Sequence, residues 1–334
     1  MAQILLTVFV ALNASFFMGF FFLLAGYFTP SAVDRKGPAR FLWDRILRLG
    51  LPLGAFVLVI EPLIDALLTV AVWQPGSSFS SAFLAQYRPI GYEPGPLWFV
   101  AALLILSAAY AVARAIAAYI SRQPRVAPER RARPTDRSIV LFAVAVGLAT
   151  FAVRVVFPSG RAWLAFQLGD FPQYVALLVV GIVAGRRGWL DALTARDGRR
   201  WSIVAIGCAI ALPIVGLATG AIGGDASAFL GGLRWEACVG AVWSSLQGTA
   251  IIVALLALFR ARRNRQGTLA GEAARAAYAA YVLHAPILIL VSLAVRPIAL
   301  APAGKFLLVG TAGVVACFAV AAGVRRLPLA QKVL

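Results

Sequence analysis

The sequence predicts an all-α polytopic bundle of about nine membrane-spanning helices, and three observations carry that prediction. Hydrophobic residues make up 61% of the 334 residues and the mean hydropathy is +0.86, whereas a soluble domain holds about 45–50% apolar residues. The apolar residues come in long blocks, and a helix needs about 20 of them to cross a bilayer core. The charges fall between the blocks. There are 31 Lys+Arg against 13 Asp+Glu, a formal net charge of +18. A basic balance also suits nucleic acid, but cations confined to the connections fit membrane topology instead.

The blocks follow in order. The first, about 4–28, opens the chain as MAQILLTVFVALNASFFMGFFFLLAGYF. No basic stretch precedes it and it is too long for a signal peptide, so it reads as a retained helix. A short basic connection is expected over 29–48. The second block, about 49–73, carries Glu61 and Asp65 at i, i+4 in VIEPLIDALL. The third, about 96–120, opens at GPLWFV, where Trp98 suits a membrane interface. The basic loop RQPRVAPERRARPTDR leads to the fourth, about 138–157. The fifth, about 172–187, is short and holds Gly181 and Gly185, a GxxxG spacing that suits close helix packing. The remaining blocks lie at about 202–222, 235–259, 277–295 and 304–324. No repeat divides the chain, which reads as one membrane-embedded domain over 1–334 with a basic cytoplasmic loop at 121–137.

Lys and Arg alternate between rich and poor connections without a break. They place 25 on one side and six on the other. By the positive-inside rule the rich side is cytoplasmic, which puts Met1 outside and Leu334 inside. The pattern is that of a multi-pass protein of a bacterial-type inner membrane. It is also what a chain lacking a leading helix would show.

Few residues offer chemistry. Cys208, Cys238 and Cys317 have no metal-type spacing and imply no disulfide framework. No Walker loop, zinc signature or hydrolase elbow occurs. The only histidine, His284, lies in AAYAAYVLHAP, inside an apolar block. Tyr281 precedes it by three residues, on the same helical face. Pro286 lacks an N–H and leaves the Val282 carbonyl without its helical donor. An ionisable group at membrane depth faces a cavity or a partner. His284 therefore either belongs to a reaction cavity or ties two helices through one hydrogen bond. Arg45 and Arg48 stand one turn apart at a helix mouth. They are ordinary topology charges or a clamp for phosphate, which guanidinium binds through two oxygens at once. Glu61 either faces the outer water or pairs with Asp65 for acid–base work.

Taken in order, LAGYF, RFLWDRILRLGLP, LWFV and YAAYVLH resemble the acyltransferase 3 family of integral membrane acyltransferases, in particular its glucan biosynthesis protein C-like branch. The resemblance implies transfer of an acetyl- or succinyl-type acyl group from a cytoplasmic acyl-CoA to a hydroxyl of a glycan or related acceptor. It implies no permanently bound cofactor, no metal and no nucleic-acid partner. The bilayer, the acyl-CoA and the glycan are the partners it implies. By this resemblance Arg45 and Arg48 bind the donor phosphates, and Tyr281 and His284 belong to a recurrent family motif in which His284 serves catalysis without being the family's base; Glu61 and Trp98 are further candidates for the substrate site. The family usually has ten helices, the first bearing an Arg and a His taken as base, and this chain starts at what corresponds to the second. The family also often has Ser where Ala277 stands. A secondary transporter and a non-catalytic relative that binds a ligand are the two alternatives.

Overall fold

The computed structural model describes residues 2–87, 94–120, 133–163, 166–221, 226–262, 267–328 and 330. Arg88, Leu334 and most of the basic loop, residues 121–132, lie outside the described residues. Among the described residues nine helices are long and apolar enough to cross a membrane, and no β-strand forms. In chain order the spans are Leu6–Lys36, Pro38–Trp73, Gly95–Ile120, Asp136–Val156, Leu168–Arg187, Ala195–Ala218, Trp235–Ala261, Thr268–Val295 and Pro302–Val324. They follow the expected blocks one for one.

Several helices outrun their apolar blocks. The first continues through TPSAVDRK to Lys36, where a connection was expected over 29–48. It ends at Gly37, whose φ of +79° is a conformation glycine adopts at no steric cost. The Gly37 N–H closes the last turn on the Val33 carbonyl at 2.8 Å. The second span then starts directly at Pro38, and proline suits a first helical position because its missing N–H would be unused there. The sixth span starts at Ala195 rather than about 202, because Thr194 and Asp197 form a reciprocal capping box. The eighth starts at Thr268 rather than about 277. His284 is therefore 16 residues past the helix start, not about seven. Apolarity marks only the stretch that a hydrocarbon core needs, and a helix can run on past it where polar residues are tolerated.

Two compact units form, one from residues 1–38 and 113–265 and the other from 39–112 and 266–334. The first unit packs backbone against backbone. A Cβ at Gly26 would fall 2.2 Å from the Leu178 carbonyl oxygen, one at Gly181 2.1 Å from that of Leu23, and one at Gly185 2.3 Å from that of Tyr27. The first and fifth spans thus meet as the GxxxG spacing suggests. Lipid gives apolar helices no hydrophobic reason to associate, so close van der Waals approach must supply it. Gly248 brings the seventh span equally near, with a Cβ there 2.1 Å from the Ser15 carbonyl oxygen. Gln173 Nε2 donates to that same carbonyl at 2.7 Å. Buried Arg154 pairs with Asp170 at 2.5 Å, joining the fourth span to the start of the fifth.

The second unit is built differently. Its long second span is not a continuous α-helix. It widens into π-turns at Ile46–Gly50, Phe56–Ile60 and Thr69–Trp73, with Pro52 and Pro62 in the α-helical pieces between them. The eighth and ninth spans pack through small residues, Ala276, Ala279, Ala280, Cys317 and Ala321. Cys317 is buried there as a packing residue.

Candidate functional site

The eighth span presents Tyr278, Tyr281 and His284 at three-residue intervals, so they stack along one face. All three are half-buried. The Tyr278 hydroxyl donates to the Arg48 carbonyl at 2.7 Å. The Tyr281 hydroxyl donates to the Pro96 carbonyl at 2.7 Å. The His284 ring stacks on Tyr281, with centroids 5.4 Å apart and planes at 22°. Its Nδ1 meets the Tyr281 carbonyl. A carbonyl can only accept, so Nδ1 carries the proton at this contact and the Nε2 lone pair is left as an acceptor. Phe99 closes the other side of Tyr281 edge-on, 6.1 Å between centroids.

The Pro96 carbonyl belongs to a 3₁₀ turn, Gly95–Leu97, that opens the third span. Gly95 takes φ +44° there. A Cβ on it would fall 2.6 Å from Glu61 Oε2 and 2.8 Å from Oε1. The backbone angle is what favours glycine here, and the missing side chain lets the Glu61 carboxylate lie against the turn. Glu61 Oε2 is sealed from solvent, so this acid faces the turn rather than open water. A negative group at the N-terminal end of a helix is also favourably placed against the helix dipole. Trp98, the first residue of the α-helix proper, is half-buried.

The two arginines differ. Arg45 is half-buried, with its guanidinium over the Phe41 ring at 5.2 Å. Arg48 is exposed and lies inside the first π-turn. Of the two tyrosines it is Tyr278 that bonds the arginine segment, at the Arg48 carbonyl, while Tyr281 bonds the turn at Pro96. The second unit therefore places Glu61, Trp98 and Tyr281 at one turn, stacks His284 on Tyr281, and links the arginine segment to the same helix face. Asp65 has its carbonyl engaged within its own helix, by Thr69 Oγ1 at 2.7 Å.

Nine apolar helices among the described residues, and a tyrosine–histidine face at the centre of one of them, define a multi-pass membrane protein with a polar site built from its spans. A family model described as an acyltransferase domain, that of the acyltransferase 3 family, matches residues 2–323. The chain belongs to that family and is, at the family level, a membrane acyltransferase. No curated protein and no solved structure matches it.

Proposed function

We propose that this chain moves an acyl group, of the acetyl or succinyl kind, from a cytoplasmic acyl-CoA to a hydroxyl of a glycan, as in the glucan biosynthesis protein C-like branch. One observation carries the reading. A single turn of the eighth span holds the arginine segment through Tyr278 and the Gly95–Leu97 turn through Tyr281, with His284 one turn further on. The arginine segment belongs to the cation-rich side of the chain and the glycine turn to the cation-poor side. A donor and an acceptor approaching from opposite sides would meet near this face.

The chemistry follows from the groups present. The acceptor oxygen attacks the thioester carbonyl, the C–S bond breaks, and the coenzyme A thiolate leaves. The proton of the attacking hydroxyl passes by way of His284 Nε2 to the leaving thiolate, a relay its tautomer suits because Nδ1–H is held by the Tyr281 carbonyl. Arg45 and Arg48 bind the donor phosphates, where planar guanidinium gives paired, charge-assisted hydrogen bonds. Glu61 and Trp98 line the acceptor side.

The test is transfer from acetyl-CoA or succinyl-CoA to an oligoglucan by the purified protein. His284→Phe should abolish transfer with a normal yield of folded protein, and His284→Gln should retain part of it. Full activity of His284→Phe would remove the histidine from the reaction. The orientation is testable separately. Reporter fusions after Gly160 and Gly198 should report the outside and the cytoplasm respectively, with Met1 outside and Leu334 inside. The reverse pair of results would overturn the topology.

A further inference from the structure

We propose that Tyr278 is a positioning residue that latches the arginine turn through a carbonyl which Pro52 leaves without a helical donor. In an α-helix the N–H of residue i bonds the carbonyl of residue i−4. Proline has no N–H. Four residues before Pro52 is Arg48, and the group that reaches the Arg48 carbonyl is the Tyr278 hydroxyl, at 2.7 Å. In the same span, four residues before Pro62 is Leu58, and the Leu58 carbonyl is reached by the Tyr87 hydroxyl, also at 2.7 Å. Both prolines of this helix thus expose a carbonyl that a tyrosine from another segment occupies.

The pairing satisfies two needs at once. A carbonyl stripped of its helical donor and a tyrosine hydroxyl each need a partner, and here each supplies the other's. The site of the latch is also where the helix departs from α geometry. Ile46–Gly50 is a π-turn, closed by the Leu51 N–H on the Ile46 carbonyl. Such turns are rare and are found frequently at functional sites. This one carries Arg48 and directly follows Arg45. The Tyr278 bond holds the turn from outside its own helix, and so fixes the direction in which the two guanidiniums leave the backbone. The effect on the donor rests on the proposed function, because it takes Arg45 and Arg48 as the phosphate clamp. The latch itself does not.

Two measurements separate the latch from the donor reading. The first is the Kd for coenzyme A of the full chain in detergent. Tyr278→Phe should raise it about fivefold, the range of one lost hydrogen bond. Pro52→Ala restores an N–H aimed at the Arg48 carbonyl, so in the Pro52→Ala background Tyr278→Phe should change Kd less than twofold. A loss that is the same with or without Pro52 overturns the proposal, and so does an unchanged Kd in Tyr278→Phe. The second measurement needs no ligand. With Cys208, Cys238 and Cys317 changed to Ala and Arg45→Cys as the reporter, the rate of modification by a charged methanethiosulfonate reads the direction of the turn. Tyr278→Phe should change that rate about threefold, and Pro52→Ala should erase the dependence. If coenzyme A does not bind but the thiol rates show this coupling, the latch stands and the donor reading falls. If the rates are indifferent to Tyr278, the latch falls.

Discussion

The unit of residues 1–38 and 113–265 and the unit of residues 39–112 and 266–334 both join some helices through small residues where water gives no help, but beyond that their means differ. The first removes side chains. Gly26, Gly181, Gly185 and Gly248 let carbonyl oxygens of neighbouring helices come within 2.1–2.3 Å of where a Cβ would stand. The second removes backbone donors. Pro52 and Pro62 expose carbonyls, and tyrosines on other segments span the distance to them. Backbone contact leaves no room and fixes helices over their whole length. A hydroxyl bridge fixes them at one point and leaves space beside it. The family's chemistry needs such space, and the tyrosine–histidine face is found in the unit that has the bridges.

The glycine-lined contact is most exposed to substitution at Gly181. Its Cβ would lie 2.1 Å from the Leu23 carbonyl oxygen and 2.9 Å from the Tyr27 nitrogen, both backbone atoms that cannot rotate away. Gly181→Leu must push the first and fifth spans apart and release the contacts of Gly26 and Gly185 with them. The expected loss exceeds the ~1–3 kcal/mol of ordinary overpacking. The yield of monodisperse protein should collapse. A yield and Tm equal to those of the unaltered chain would show that glycine contact does not hold this unit together.

The order and number of the spans were legible in the sequence because each needs a long apolar block, and nothing else in a chain has that signature. The GxxxG contact was legible because its spacing is helical. Helix starts were not, since Thr194–Asp197 and Thr268 are polar and lie outside the apolar windows. Among the site residues, His284 and Tyr281 drew attention as polar groups in an apolar block. Tyr278 stood in the same motif without a role, because its partner is a backbone carbonyl 230 positions away. The signal for it was present, in Pro52 four residues after Arg48, but a missing N–H is visible only when each proline is asked which carbonyl it abandons. Glu61 read as paired with Asp65 or facing outer water, and periodicity could not reveal that a glycine turn from another segment closes over it.

The smallest expected effect separates a bridge that only joins from one that also aims. Tyr87 follows the short helix Phe79–Ala85 and bonds the Leu58 carbonyl as Tyr278 bonds that of Arg48. Leu58, however, lies in the second π-turn, Phe56–Ile60, which carries no arginine. Tyr87→Phe therefore removes one hydrogen bond and no guanidinium depends on it. Its expected cost is about 0.5–1.5 kcal/mol of stability, read as a small drop in Tm. Pro62→Ala returns an N–H toward Leu58, so in that background the same Tyr87→Phe change should lower Tm by much less. The coenzyme A Kd should stay within twofold in every one of these variants. If Tyr87→Phe weakened coenzyme A binding as much as Tyr278→Phe does, both tyrosines would be acting through general loosening of the unit, and the special place of Tyr278 beside the arginines would be lost.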